Sequence, residues 1–163
     1  AIQHNETPGS FLHVGSRAYA LEQFHMHVPS EHTINGRHAD MEIHLVHKSS
    51  AGEVAVVAVL VATNADQSTR PSLIEELQAS ENEVVEVENF SASPAQLLPT
   101  DYRYYTYTGS LTTPPCSEGV RWIVMSTPVP IHPAALAAYK QTIGNNSRPV
   151  QALHNREIRG PAK

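Results

Sequence analysis

Two short stretches, Gln23-Phe24-His25-Met26-His27 and Glu42-Ile43-His44-Leu45-Val46, set imidazoles and polar acceptors two residues apart. In an extended strand, residues two apart share a face. Gln23, His25 and His27 then stand on one face, with Phe24, Met26 and Val28 on the other. On the second stretch Glu42, His44 and Val46 share a face. Three neutral imidazoles suit Zn²⁺, and a fourth position left to water makes such a site catalytic rather than structural. Gln23 and Glu42 are the acceptors that metal-bound histidines need for their second ring N–H.

With 10 His in 163 residues, chance pairs are expected, and a lone His-x-His is commonly incidental. The context argues otherwise. Each histidine sits in an apolar, strand-like run, where an imidazole without a partner would cost free energy.

The elements that must position these side chains read as mostly strands. Phe11–Val14 and Arg17–Val28 are joined by Gly15-Ser16, which predicts a hairpin. Pro29 ends the pairing, and Asn35-Gly36 predicts a tight turn. Met41–Lys48 returns as the strand of His44. Val54–Thr63, nearly all apolar and β-branched, predicts a strand buried on both faces in mid-sheet. Ser72–Leu77 has helical spacing behind a Ser cap, and Ser93–Leu98 predicts one helical turn. Tyr104–Thr108 and Val120–Ser126 read as strands. His132–Ile143 reads as a helix that Gly144 stops.

Composition fits a single domain over 1–163: 40% hydrophobic, 17% charged, net charge −5. The acidic balance argues against nucleic acid or an anionic membrane as partner. No apolar run reaches the ~20 residues of a membrane-spanning helix.

Gln-x-His-x-His at 23–27, Ser-Glu-His-Thr at 30–33, Glu-x-His-Leu-Val-His at 42–47 and Gly-Ser-Leu-Thr-Thr-Pro-Pro-Cys-Ser-Glu-Gly-Val-x-Trp at 109–122 occur in this order. Together they resemble the α-class carbonic anhydrases, most closely the bacterial branch. The resemblance extends to Arg148-Pro149-Val150-Gln151 and Asn155-Arg156. It implies a mainly β (α+β) fold: a large, twisted, predominantly antiparallel sheet with short surface helices. It implies reversible hydration of CO₂ to bicarbonate and a proton by a zinc-bound hydroxide, with Zn²⁺ on His25, His27 and His44. Gln23, Glu42 and the backbone carbonyl of Asn146 would hold those rings. Thr112 would accept a hydrogen bond from the hydroxide and donate to Glu31, and Thr113 would face bicarbonate. Val46, Val56, Leu111, Val120 and Trp122 would form the apolar wall for CO₂. His32 and Tyr107 would form a buried structural pair, His47 would be structural, and His38, His132 and His154 would lie on the surface.

The same resemblance implies anions and sulfonamides as inhibitors, a periplasmic or secreted location, and a homodimer as the candidate assembly. It also marks departures. The family's N-terminal portion, with its proton-shuttling histidine, has no counterpart here, so an N-terminally truncated, incomplete domain is expected. His4 and His13 are the candidate replacements for the shuttle. Cys116 matches half of a family disulfide whose other half lies near the N-terminus, and Ala152 stands where the family commonly has Pro. Two other readings stay open. A cupin-type metalloenzyme would use His25, His27 and Glu31, although the second cupin motif is not seen around His44. An inert module of the carbonic-anhydrase-related kind typically loses a zinc ligand, whereas this chain keeps three.

Overall fold

The computed structural model describes residues 3–5, 9–64 and 93–161. Ten strands appear in chain order: β1 (Gln3–Asn5), β2 (Phe11–Val14), β3 (Arg17–His27), β4 (Thr33–Ile34), β5 (Arg37–His38), β6 (Met41–Ser49), β7 (Val54–Thr63), β8 (Tyr104–Ser110), β9 (Glu118–Met125) and β10 (Val129–Ile131). A 3₁₀ turn covers Pro94–Leu97, and helix α1 covers Pro133–Ile143. One sheet runs β1-β3-β6-β7-β9-β8, with β2 also paired to β3 and β10 to β7. Its pairings are antiparallel except β7–β9 and β7–β10, so the sheet is mixed and predominantly antiparallel.

The β-branched run Val54–Thr63 becomes the central strand it predicts. Residues Ala55 to Val61 are all buried, between β6 on one side and β9 on the other. Gly15 at φ 60° carries the β2–β3 hairpin. Asn35 and Gly36, both at positive φ, turn β4 into β5 as a type I′ pair does. Helix α1 is capped by His132, whose Nδ1 accepts from the Ala134 amide, and has Pro133 in its first turn. Gly144 at φ 61° ends it.

Several expectations shift. β9 begins at Glu118, two residues before Val120, because Ser110 pairs with Glu118 across an irregularity after Gly109. β1 and β10 carry too few residues for a period to show. β10 also contains Pro130, which an edge position tolerates. The helix expected at Ser72–Leu77 lies outside the described residues. Among the described residues the helices are α1 and the 3₁₀ turn, and α1 is not merely on the surface: Ala135, Leu136 and Tyr139 are buried.

The two faces of the sheet carry different loads. One holds the main core, with Leu21, Phe24, Met26, Met41, Ile43, Leu45, Val57, Val59, Ile123 and the buried face of α1. The other holds a smaller cluster of Val56, Ala58, Val120, Trp122 and Val124, flanked by Val46, Tyr107 and Leu111. The histidines share this second face.

Tyr139 is buried in the main core, and among the described residues its hydroxyl has no hydrogen-bond partner. A buried hydroxyl without a partner costs free energy that its removal recovers. Tyr139→Phe is therefore expected to keep or raise stability by about 1 kcal/mol in urea unfolding. A loss of that size would show that the hydroxyl is bonded.

Candidate metal centre

Strand pairing brings the two motifs together. His25 stands opposite His44, Gln23 opposite Val46 and His27 opposite Glu42. Residues directly opposite in an antiparallel pair share a face. Extending the row, His44 faces Ala58 on β7 and Val46 faces Val56, which faces Trp122 on β9. The alternation on β3 is interrupted by a bulge at Glu22, between the Leu21–His47 and Gln23–Val46 pairs. One extra residue moves Leu21 into the main core while Gln23 stays with the histidines.

The three imidazoles pack with ring centroids 4.6–5.2 Å apart. His27 and His44 are 2% and 1% exposed. Each ring passes one N–H to an acceptor. His25 Nδ1 donates to Gln23 Oε1 at 2.8 Å, His27 Nδ1 to the Asn146 carbonyl at 3.3 Å, and His44 Nε2 to Glu42 Oε1 at 2.7 Å. Nε2 of His25, Nε2 of His27 and Nδ1 of His44 remain as lone-pair donors. The three residues form a group whose ligand atoms lie within 4.8 Å of one another. His27 Nε2 is buried without a partner. Burial, then the neighbouring rings, holds His25 neutral with its pKa down at about 3, and the same two causes lower His27. These are the neutral imidazoles a metal requires.

Asn146 reaches β3 through several bonds. Its Oδ1 accepts from the Val28 amide, its Nδ2 donates to the Met26 carbonyl, and its own amide donates to the Val28 carbonyl. Its carbonyl can therefore meet His27 only in one place. Glu42 is fully buried and takes three N–H groups: the His32 amide at 2.8 Å, His32 Nδ1 at 2.5 Å and His44 Nε2 at 2.7 Å. Burial opposes its charge, but His32 and His44 more than offset it, so its pKa lies well below the usual carboxylate range. His32, Glu42 and His44 could also be drawn as a second metal set. Separations of 2.5 and 2.7 Å are hydrogen bonds, too short for two ligands on one ion, so this set is the support of the first. His32 Nε2 in turn accepts from the Tyr107 hydroxyl at 2.7 Å, as the resemblance implies.

Glu31 is buried beside the rings, its Oε1 3.5 Å from His27 Nδ1 and its Oε2 4.0 Å from His44 Nδ1. Oε1 accepts from the Arg148 amide at 2.7 Å, while Oε2 has no partner. Thr112 lines the same hollow as Glu31, yet no hydrogen bond joins the two among the described residues. Thr113 is exposed on the 111–117 loop, which is closed by bonds from Leu111 to Ser117 and from Cys116 to Thr113. Val46, Val56, Leu111, Val120 and Trp122 do gather in one apolar cluster. Trp122 lies edge-on to His44 with centroids 4.8 Å apart. His47 points to the other face and donates to the Leu45 carbonyl; burial lowers its pKa. His38, His132 and His154 are exposed, as expected. Cys116 is free and half-buried.

Sequence reasoning missed the tail residues that complete this support, above all the Arg148 amide on Glu31. A backbone amide leaves no mark in side-chain pattern.

A curled mixed sheet that presents three imidazoles on one face, each with one ring nitrogen bonded to an acceptor, defines a three-histidine group that could hold a metal ion. Comparison with known proteins agrees with this class. A sequence profile of the eukaryotic-type carbonic anhydrases matches residues 3–161. A carbonic anhydrase of Nostoc sp. is 40% identical over 157 residues, covering 96% of this chain and 60% of that protein. A hyperthermostable carbonic anhydrase from an active hydrothermal vent chimney superposes with a TM-score of 0.89 at 36% identity, covering 98% of this chain and 72% of the other. The α-carbonic anhydrase of Thermovibrio ammonificans in complex with the inhibitor sulfanilamide gives 0.79 at 40% identity, covering 89% and 64%. The chain belongs to the eukaryotic-type, or α-class, carbonic anhydrase family, and it spans about 60% of the length of the Nostoc relative.

Gly109 sits where the aromatic floor of the site is tightest. A Cβ there would lie 2.7 Å from Tyr107 Cε2 and 3.0 Å from Trp122 Cδ1. Neither ring can swing away without disturbing His32 or His44. Gly109→Ala is therefore expected to destabilise the fold by about 1–3 kcal/mol in urea unfolding, an overpacking cost. Unchanged stability would mean that the floor yields.

Proposed function

We propose that this chain forms the zinc centre of a carbonic anhydrase and catalyses reversible hydration of CO₂ to bicarbonate and a proton. The observation that carries the reading is the buried, partnerless Nε2 of His27, grouped with the ligand atoms of His25 and His44. The donor set fits a dication. It offers three ring nitrogens whose other N–H groups are committed, with two buried carboxyl groups, Glu31 and Glu42, and no Lys or Arg side chain paired to either among the described residues. Zn²⁺ held by His25, His27 and His44 would supply the Lewis acidity that makes water a nucleophile near neutral pH, this family being the general example of that chemistry.

The protein's own groups do the rest. A carboxylate can only accept, so Glu31 Oε2, which has no other partner among the described residues, would fix the direction in which the Thr112 hydroxyl donates once the two close to hydrogen-bond distance. The Thr112 oxygen would then accept a hydrogen bond from the attacking water and leave that water's lone pair turned toward the substrate. Val46, Val56, Leu111, Val120 and Trp122 give apolar CO₂ a dry wall beside the rings, and Thr113 meets the bicarbonate product. The proton leaves to solvent or buffer. Sulfonamides, one of which occupies the Thermovibrio relative, would compete at the same three histidines. A periplasmic or secreted location is part of this proposal, resting on the family match of Cys116.

One observation favours a second reading, a zinc-holding module with little turnover: the Thr112 hydroxyl and Glu31 are not bonded. Zinc stoichiometry and stopped-flow CO₂ hydration on the same preparation separate the two. One zinc per chain with turnover supports the enzyme, one zinc without turnover supports the module, and no zinc defeats both. His44→Ala is expected to release the metal and abolish hydration; stoichiometric zinc in that variant would exclude His44 as a ligand. Thr112→Ala is expected to keep zinc while slowing hydration by about 10²-fold, the usual cost of one oriented hydrogen bond in a preorganised site. An unchanged rate would remove Thr112 from the mechanism.

A further inference from the structure

We propose that Arg156, in the carboxy-terminal tail, is a positioning residue for His44, acting through Tyr107, His32 and Glu42. The inference rests on the zinc reading above and extends it to a residue whose side-chain bonds run to its own loop and whose cation lies over Tyr107.

The contacts form an unbroken line. His44 is oriented by Glu42 Oε1 at 2.7 Å, and the same oxygen takes His32 Nδ1–H at 2.5 Å. His32 is pinned a second time by its amide on Glu42 Oε2 and a third time by the Tyr107 hydroxyl on Nε2. Tyr107 belongs to β8, the last strand in the sheet order. Its ring lies nearly parallel to Trp122, at an interplanar angle of 9°, and the guanidinium of Arg156 lies over it at 5.4 Å from the ring centroid. The place of the Tyr107 hydroxyl thus depends on what holds the ring from the side of the tail.

Arg156 is built for that place. Across residues 151–160 it alone is half-buried while its neighbours are exposed. Its Nε donates to the Leu153 carbonyl and its Nη2 to the Ala152 carbonyl, both at 2.8 Å, so the head is fixed to its own loop. It has no ion-pair partner among the described residues, because the adjacent Glu157 is taken by Arg159. Its charge is therefore directed at the ring face, where the quadrupole attracts a cation. A cation there also draws density from the phenol and strengthens O–H donation to His32. Gly109 makes the approach possible, since a Cβ would come within 3.2 Å of Arg156 Nη1. Metal ligands hold their ion only if their rings stay within about 0.5 Å of place, and partners of a ligating histidine typically change metal affinity 10–100-fold.

The test follows loss of zinc to a chelator from the zinc-loaded 163-residue chain, alongside the melting temperature of the metal-free form. Tyr107→Phe is expected to release zinc about tenfold faster, the low end of that range. Arg156→Leu should do so about threefold, being one contact further out. Arg156→Lys keeps the cation and should fall between Arg156→Leu and the parent. Arg121→Leu, an exposed arginine on the neighbouring strand, should match the parent. Faster release at Tyr107 and Arg156 with an unchanged metal-free melting temperature supports the inference. Parent-like release from Arg156→Leu overturns it, as does faster release accompanied by an equal fall in metal-free stability or shared by Arg121→Leu. A parent chain that binds no zinc defeats the proposed function and this inference with it.

Discussion

Three imidazoles can be buried together on one sheet face only if each gives away one ring N–H. An imidazole that keeps both nitrogens unbonded in an apolar site carries the full cost of a desolvated donor and acceptor. Here Gln23, the Asn146 carbonyl and Glu42 each take one N–H, so the remaining lone pairs stay grouped. The constraint reaches far into the fold. It requires Gln23 and Glu42 two residues before a clustered histidine, a strand pairing that sets His25 against His44, and a carboxy-terminal residue brought back to the end of β3. Relaxing any one leaves a buried ring with nothing to hold its tautomer.

The sheet meets this demand by giving its two faces separate work. The face away from the histidines is filled by Phe24, Met26, Ile43, Leu45, Val57, Val59 and α1, a continuous apolar core that anchors the register of β3, β6 and β7. A slip of one residue would turn every histidine into that core, so the apolar alternation itself protects the site. The bulge at Glu22 is where the two demands meet: upstream of it β3 delivers Leu21 to the core, and downstream it delivers Gln23 to the site.

How much of this was legible from sequence depends on the range of the interaction. The period-two pattern of 23–28 and 42–46 is local, and it gave the strands, their faces and the three grouped histidines. Asn35-Gly36 and Gly144 are local as well, and they mark the turn and the helix end expected of them. What escaped was non-local. β1 and β10 are three residues each and exist only because β3 and β7 offer edges. The bulge at Glu22 has no signature in its own residues. The amide of Arg148 on Glu31 and the guanidinium of Arg156 on Tyr107 lie in a stretch without periodicity, where only the closed fold shows what each touches. Asn146 was found by motif alone, since nothing in Gly144-Asn145-Asn146 predicts a return to Met26 and Val28.

Glu42 explains why the floor of the site is aromatic. A charged carboxylate with no solvent exposure is costly unless its oxygens are hydrogen-bonded. Three N–H donors converge on it, two from His32 and one from His44, and this leaves His32 Nε2 as an acceptor needing a donor of its own. Water would satisfy it but would also wet the wall beside the three histidines. Tyr107 satisfies it with the hydroxyl at the rim of a large apolar ring, and that ring then packs flat against Trp122, which in turn covers His44. The polar demand of one buried carboxylate is thus passed outward, residue by residue, through groups that keep the pocket dry.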